Sequence, residues 1–226
     1  VCLTAIIAIL LLLLSLFGVL NPADSKLEHS LTQQLDYSFD RITRNMDQLA
    51  AYAVDFSKEM TVQINTMNIP FDSLRNNPEA LTELQYKSYT TVLGNMKLAD
   101  CSGAFFMLNT TVNDSLNDTY YSGIYLKTKK NTFPQMEEVL TQFESNPSKG
   151  YLLTAAYQLP DAWEHVRFLC TPIADDKGNI IGVCGFELSD PFFEAQYCVS
   201  DAEYPSMVCA LLEQDNGIYT GQLARN

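Results

Sequence analysis

Phe168-Leu-Cys-Thr-Pro-Ile-Ala-Asp-Asp-Lys-Gly-Asn-Ile-Ile-Gly-Val-Cys-Gly-Phe-Glu-Leu188 is the stretch whose reading decides the fold. Two apolar segments flank Asp175-Asp176-Lys177-Gly178-Asn179, a run of turn formers in which Gly178 admits a positive φ. Such a pattern predicts an antiparallel hairpin with a short loop. Each arm is nearly continuous in apolar or small residues, so the hairpin belongs at the centre of a sheet, covered on at least one face.

Working outward, Tyr151–Leu159 reads as a strand, followed by Pro160-Asp161 and Trp163. Before it, Cys101–Leu108 reads as a buried strand and Tyr120–Lys127 as a second, separated by a polar loop at Asn109–Thr119. Thr132–Phe143 has helical content, and Asn146-Pro147-Ser148-Lys149-Gly150 closes that segment. Ser73–Leu98 contains a helix, with its start at Asn77-Pro78-Glu79. Two strands, a helical linker and three strands, preceded by helices, give an α+β fold with a five-stranded antiparallel sheet. The tail changes character. Asp190-Pro191 opens a short helix, and 207–223 reads as a hairpin around Asp215-Asn216-Gly217, the first piece of a further module over 200–226.

The N-terminal third reads as two helices in series. Residues 1–20 carry no charge, and only Thr4, Ser15 and Gly18 interrupt the apolar run. Twenty helical residues extend roughly 30 Å, the thickness of a bilayer core. The expectation is a transmembrane helix; the core of a signal peptide is the alternative reading. Residues 21–70 then form a stalk helix with apolar positions at Leu31, Leu35, Phe39, Ile42, Met46, Leu49, Ala53, Phe56 and Met60. From Leu35 the steps alternate between four and three, the spacing of a coiled-coil seam. Its upper half is expected on the chain's own sheet and its lower half in a parallel homodimer.

Composition narrows the function. Apolar residues make up 47% and charged residues 18%, enough for a packed core. A net charge of −13 repels phosphate backbones, which argues against nucleic-acid binding. The six cysteines form neither a zinc spacing nor a C-x-x-C pair, and two histidines add little, so no metal and no cofactor are expected. No G-x-S-x-G, phosphate loop or H-E-x-x-H is present, and no catalytic residue is assigned.

The Thr171–Leu188 wording and the element order resemble a double Cache receptor, an extracytoplasmic sensor of bacterial membranes with PAS-like modules. That resemblance implies a stalk over 21–70, a distal sensor domain over 71–199 and a membrane-proximal module beginning at 200. It also implies an extracellular or periplasmic location and a cytoplasmic output domain such as a kinase, a chemotaxis domain or a cyclase. In the amino-acid-binding branch an Arg-x-Trp-Tyr cluster meets the ligand carboxylate, and an Asp at the end of the fifth strand meets its amine. Glu187 stands at the matching place on that strand, while the region of Tyr120, Tyr121 and Tyr125 lacks the cluster.

The candidate ligand residues are Tyr121, Tyr125, Trp163, His165, Arg167 and Glu187. Trp163, His165 and Arg167 alternate onto one face of a strand, where an aromatic and a guanidinium suit a small anion. Together they suggest an amine, an amino-acid-like molecule or an organic acid as ligand. A protein-interaction ectodomain with an occluded pocket is the competing expectation. Cys170 and Cys184 fall almost opposite each other and read equally as a disulfide or as two free thiols. Cys198 and Cys209 are expected to close a small disulfide loop. The sequons at Asn109, Asn113 and Asn117 read as a consequence of an Asn/Thr/Ser-rich loop.

Overall fold

The computed structural model describes residues 22–68, 70–74, 77–113, 119–127, 136–146, 148–158, 163–197, 210–215 and 218–223. The span expected over 1–20 lies outside them. Among the described residues no helix is long and apolar enough to cross a membrane. The chain divides into two compact units, Val1–Met46 and Asp47–Asn226.

Helix α1 spans Pro22–Thr66. Proline suits a first helical turn, where its missing N–H has no partner to lose. Beyond Thr66, Asn68 turns the chain at φ 54°, and its N–H bonds the Asn65 carbonyl at 3.2 Å. In the second unit the stripe Leu49, Ala53, Phe56, Met60 and Ile64 is buried. In the first unit Leu35 and Phe39, on the same seam, are 70% and 69% exposed.

After the short α2 (Phe71–Leu74), α3 runs from Pro78 to Ala99. Asn77 caps it, its side chain accepting the Ala80 N–H at 3.1 Å. At the other end Asp100 takes a left-handed φ of 48°.

The main sheet contains β1 (Gly103–Asn113), β2 (Thr119–Lys127), β3 (Leu152–Leu153), β4 (Tyr157–Gln158), β5 (His165–Ala174) and β6 (Ile180–Ser189). Its order is β2-β1-β6-β5-β3, with β4 also on β5, and every pairing is antiparallel. The antiparallel sheet read from the sequence is present, and it counts six strands because the strand read at Tyr151–Leu159 is divided into β3 and β4. Helix α4 (Met136–Ser145) precedes β3, and α5 (Asp190–Tyr197) follows β6. A separate two-stranded sheet pairs β7 (Ala210–Asp215) with β8 (Ile218–Leu223).

The β5–β6 hairpin forms around the expected turn. Asp175 organises it: Oδ1 accepts the N–H groups of Lys177 (2.9 Å) and Asn179 (2.8 Å), and Oδ2 accepts Asn179 Nδ2 (2.9 Å). These bonds, the side chain of Asn179 foremost, hold the Asp175 carboxyl below its ordinary pKa. Gly178 supplies the positive φ of 82°.

The extra strand has a local cause. Leu152 and Leu153 pair with Cys170 and Leu169, but Tyr157 and Gln158 pair with Val166 and His165, one residue out of step. Thr154 fills the break. Its N–H donates to the Phe168 carbonyl (3.0 Å), and its hydroxyl accepts the Phe168 N–H (2.9 Å) in place of a backbone oxygen. Thr154→Val keeps the shape and removes the acceptor, leaving a buried donor unmade. The expected loss is about 1–3 kcal/mol by urea unfolding, and Thr154→Ser is expected to retain most of it.

Both faces of the sheet are covered. Phe105, Val166, Phe168, Cys170 and Val183 pack with Val139, Leu140 and Phe143 of α4 in one cluster. The opposite face meets α1 and α3. Phe56 stacks on Phe186 with ring centroids 6.0 Å apart, and Gln85 of α3 donates to the Gly123 carbonyl at 3.0 Å.

Candidate functional site

Cross-strand partners in an antiparallel sheet share a face. Glu187 pairs with Phe168 on one side and Gly103 on the other, and Gly103 pairs with Lys127. Glu187 therefore lies on the α4 side of the sheet, with Phe105 and Phe168. It is 2% exposed, and burial pushes its carboxyl up to about 7. The next residue along β6 on this face is Gly185, held between Phe105 and Cys170. Glycines at 103 and 185 place no side chain beside the carboxyl, and Phe105 meets Phe168 edge to face at 5.6 Å. A buried carboxyl between glycines and aromatic rings can accept hydrogen bonds from an ammonium group and place it against π faces. Nearby, the Cys101 thiol donates to the Gly103 carbonyl at 3.0 Å. Burial, with the Glu187 charge adding, pushes its pKa up to about 12, so it stays a neutral thiol.

His165 and Arg167 lie on the other face, since Arg167 pairs with Leu188. The Arg167 guanidinium sits 5.5 Å from the centre of the Phe193 ring on α5. Asp190 Oδ2 accepts the His165 backbone N–H at 2.9 Å and lies 3.3 Å from its ring Nδ1. These contacts fasten the start of β5 to α5. Trp163 precedes β5 and is 98% exposed. Tyr125 pairs with Phe105 and Tyr121 with Thr111 beyond a bulge, both described by their backbone alone. The expected cluster is thus divided: Glu187 faces α4, while His165 and Arg167 face α5. Lys127, in the row of Glu187, is a residue the sequence reading missed, and only the β1–β2 register brings it there.

No protein-family model matches the chain, and no curated protein matches it. Among solved structures, the ligand-binding domain of the Campylobacter jejuni chemoreceptor Tlp3, in complex with 4-methylisoleucine, is similar over 80% of this chain with a TM-score of 0.50 and 16% identity. The likeness is one of fold. The chain spans 65% of that structure's length. The Tlp3 sensory domain with isoleucine bound matches 77% of this chain and 65% of its own, with a TM-score of 0.43 and 16% identity. A further structure of that sensory domain matches over 76% and 66%, with 0.43 and 17%.

Within the main sheet, Cys170 pairs with Gly185 and Cys184 with Thr171, which puts the two thiols on opposite faces. Both are free and buried, and burial raises both pKa values. The disulfide alternative for this pair is closed, because neighbouring rows of a strand point apart. Cys198 and Cys209 lie outside the described residues. Among the described residues no group of three or more His, Cys, Asp or Glu side chains is placed to hold a metal ion. A shallow depression of about 580 Å³ along α3 is lined by Pro78, Glu79, Thr82, Glu83 and Tyr86, none of them on the sheet.

Proposed function

We propose that this chain is the extracytoplasmic ligand-sensing region of a bacterial membrane receptor, with a small amine or amino-acid-like molecule held at Glu187. The observation that carries the reading is the carboxyl of Glu187, buried on the α4 face between Gly103 and Gly185. The fold shared with a chemoreceptor's ligand-binding domain supports it. An ammonium ion at this carboxyl favours the ionised form, so binding releases a proton near neutral pH. Lys127, two strands away in the same row, is the register position from which a ligand carboxylate would be met. Residues 1–20 would anchor the chain, and α1 would pair with a second copy along Leu35 and Phe39, whose exposure favours a partner. The β7–β8 hairpin would open the membrane-proximal module, and ligand binding would bias α1 between two arrangements.

The occluded reading has one observation in its favour. Phe105, Phe168 and Cys170 are already covered in the cluster with α4. A thermal-shift screen of residues 25–226 against amines, amino acids and organic acids separates the two. A ligand at a hundred times its Kd adds about 2.7 kcal/mol to the folded state. The expected result is a raised Tm for an amine-bearing class, abolished by Glu187→Gln. A uniformly flat screen would leave the occluded, protein-interaction reading.

A further inference from the structure

Ser57, Thr61 and Asn65 recur every fourth residue on α1, and each meets a group two residues further along β5 and its turn. Ser57 Oγ donates to the Pro172 carbonyl at 2.5 Å, Thr61 Oγ1 reaches the Ala174 carbonyl at 3.5 Å, and Asn65 Nδ2 donates to Asp176 Oδ1 at 2.9 Å. Four helical residues rise about 6.0 Å and two strand residues about 6.6 Å, so helix and strand stay nearly in step over three rungs. On the opposite flank of α1, Glu59 accepts from Asn95 at 2.8 Å and Gln63 donates to Thr91, tying α1 to α3.

We propose that the Ser57–Thr61–Asn65 row is a register key that fixes the axial position of α1 on β5 and defines a second position one rung away. The apolar stripe beneath it repeats at three- and four-residue steps, and burial has no direction of its own. Hydrogen bonds do. A slip of one rung toward the N-terminus sets Thr61 opposite Pro172 and Asn65 opposite Ala174, so two of the three bonds re-form on backbone carbonyls. The middle rung is built to let go, because Thr61 also donates to the Ser57 carbonyl at 3.0 Å. On the α1 and α3 side, the hydroxyls of Thr171 and Ser88 are buried without a hydrogen-bond partner among the described residues. The present register leaves both unused, and a second arrangement can employ them. If Glu187 does hold a ligand, which this inference does not require, its neighbour Phe168 lies on the strand that carries the key.

Nitroxide labels on the full chain, attached through genetically encoded handles at the exposed Val62 and Lys177, read the register directly. The parent is expected to give one distance peak. Ser57→Ala combined with Asn65→Ala should add a second peak displaced by up to about 6 Å, one rung of helix. A folded double variant with the parent's single peak would overturn the key and leave packing of Phe56 and Met60 as the whole determinant. Should the double variant not fold, Ser57→Ala alone, which leaves Thr61 and Asn65 as two bonds in either register, is expected to give the same second peak, and an unchanged distribution overturns the proposal equally. No ligand enters this experiment, so its failure leaves the reading of Glu187 untouched.

Discussion

Gly185→Ala is expected to destabilise the folded chain by more than about 3 kcal/mol, the range of a strained backbone combined with overpacking. An added Cβ would stand 1.8 Å from the Leu169 carbonyl oxygen and 2.9 Å from its carbon. Both are backbone atoms of β5, so no side-chain rotation relieves the clash. The strands cannot part either, because Gly185 pairs with Phe105 on one side and Cys170 on the other. Its φ of 156° adds to the strain. Gly150→Ala is the control: a Cβ there meets nothing within 4 Å, and its effect is expected within about 0.5 kcal/mol. Urea unfolding of the two variants checks the contrast. Equal midpoints would mean that β5 and β6 separate far more easily than their pairing suggests.

That glycine sits inside the one stretch the sequence made most legible, for a physical reason. Turn chemistry is local: Asp175, Gly178 and Asn179 specify the bend by themselves, and apolar arms on both sides then have one antiparallel solution. The seam of α1 was equally legible, since Leu49, Ala53, Phe56 and Met60 follow a single helical period. The grouping of the candidate site was not. Counting outward from the Ala174–Ile180 pair sets Arg167 opposite Glu187, in one pocket; the register shift between Ile173 and Ala174 instead makes Phe168 the partner of Glu187 and sends Arg167 to the opposite face. Tyr151–Leu159 shows a second limit. Its composition is that of one strand, and only the hydroxyl of Thr154 opposite Phe168 divides it. The polar run after Leu108 hides strand for a similar reason, because β1 continues to Asn113 through its pairing with β2. Long-range partners decide such cases.

The stability of the chain is expected to fall as pH rises from about 4.5 to about 7, with Glu187 as the cause. Its carboxyl has an ordinary value of 4.5 and is pushed up to about 7 by burial in the folded state. Between those values the folded chain holds a proton that the unfolded chain has released, so stability decreases with pH across this window. Below it both states are protonated and the contribution is fully present; above it both are ionised and the contribution is gone. The integrated loss is about 3 kcal/mol. Asp175 acts in the opposite sense and elsewhere: its lowered carboxyl contributes above its ordinary 3.8 and loses that contribution only as pH falls further. Glu187→Gln carries no proton to lose, so its urea midpoint should lack this decline and exceed that of the parent at pH 8. The difference between the two profiles isolates the carboxyl from every other titrating group. Parallel profiles would show that Glu187 meets water or a fixed charge in solution, which would remove the buried acid on which the amine site rests. A decline present in the free chain and suppressed by saturating amine would join the two, since a bound ammonium makes the ionised carboxylate the favoured form.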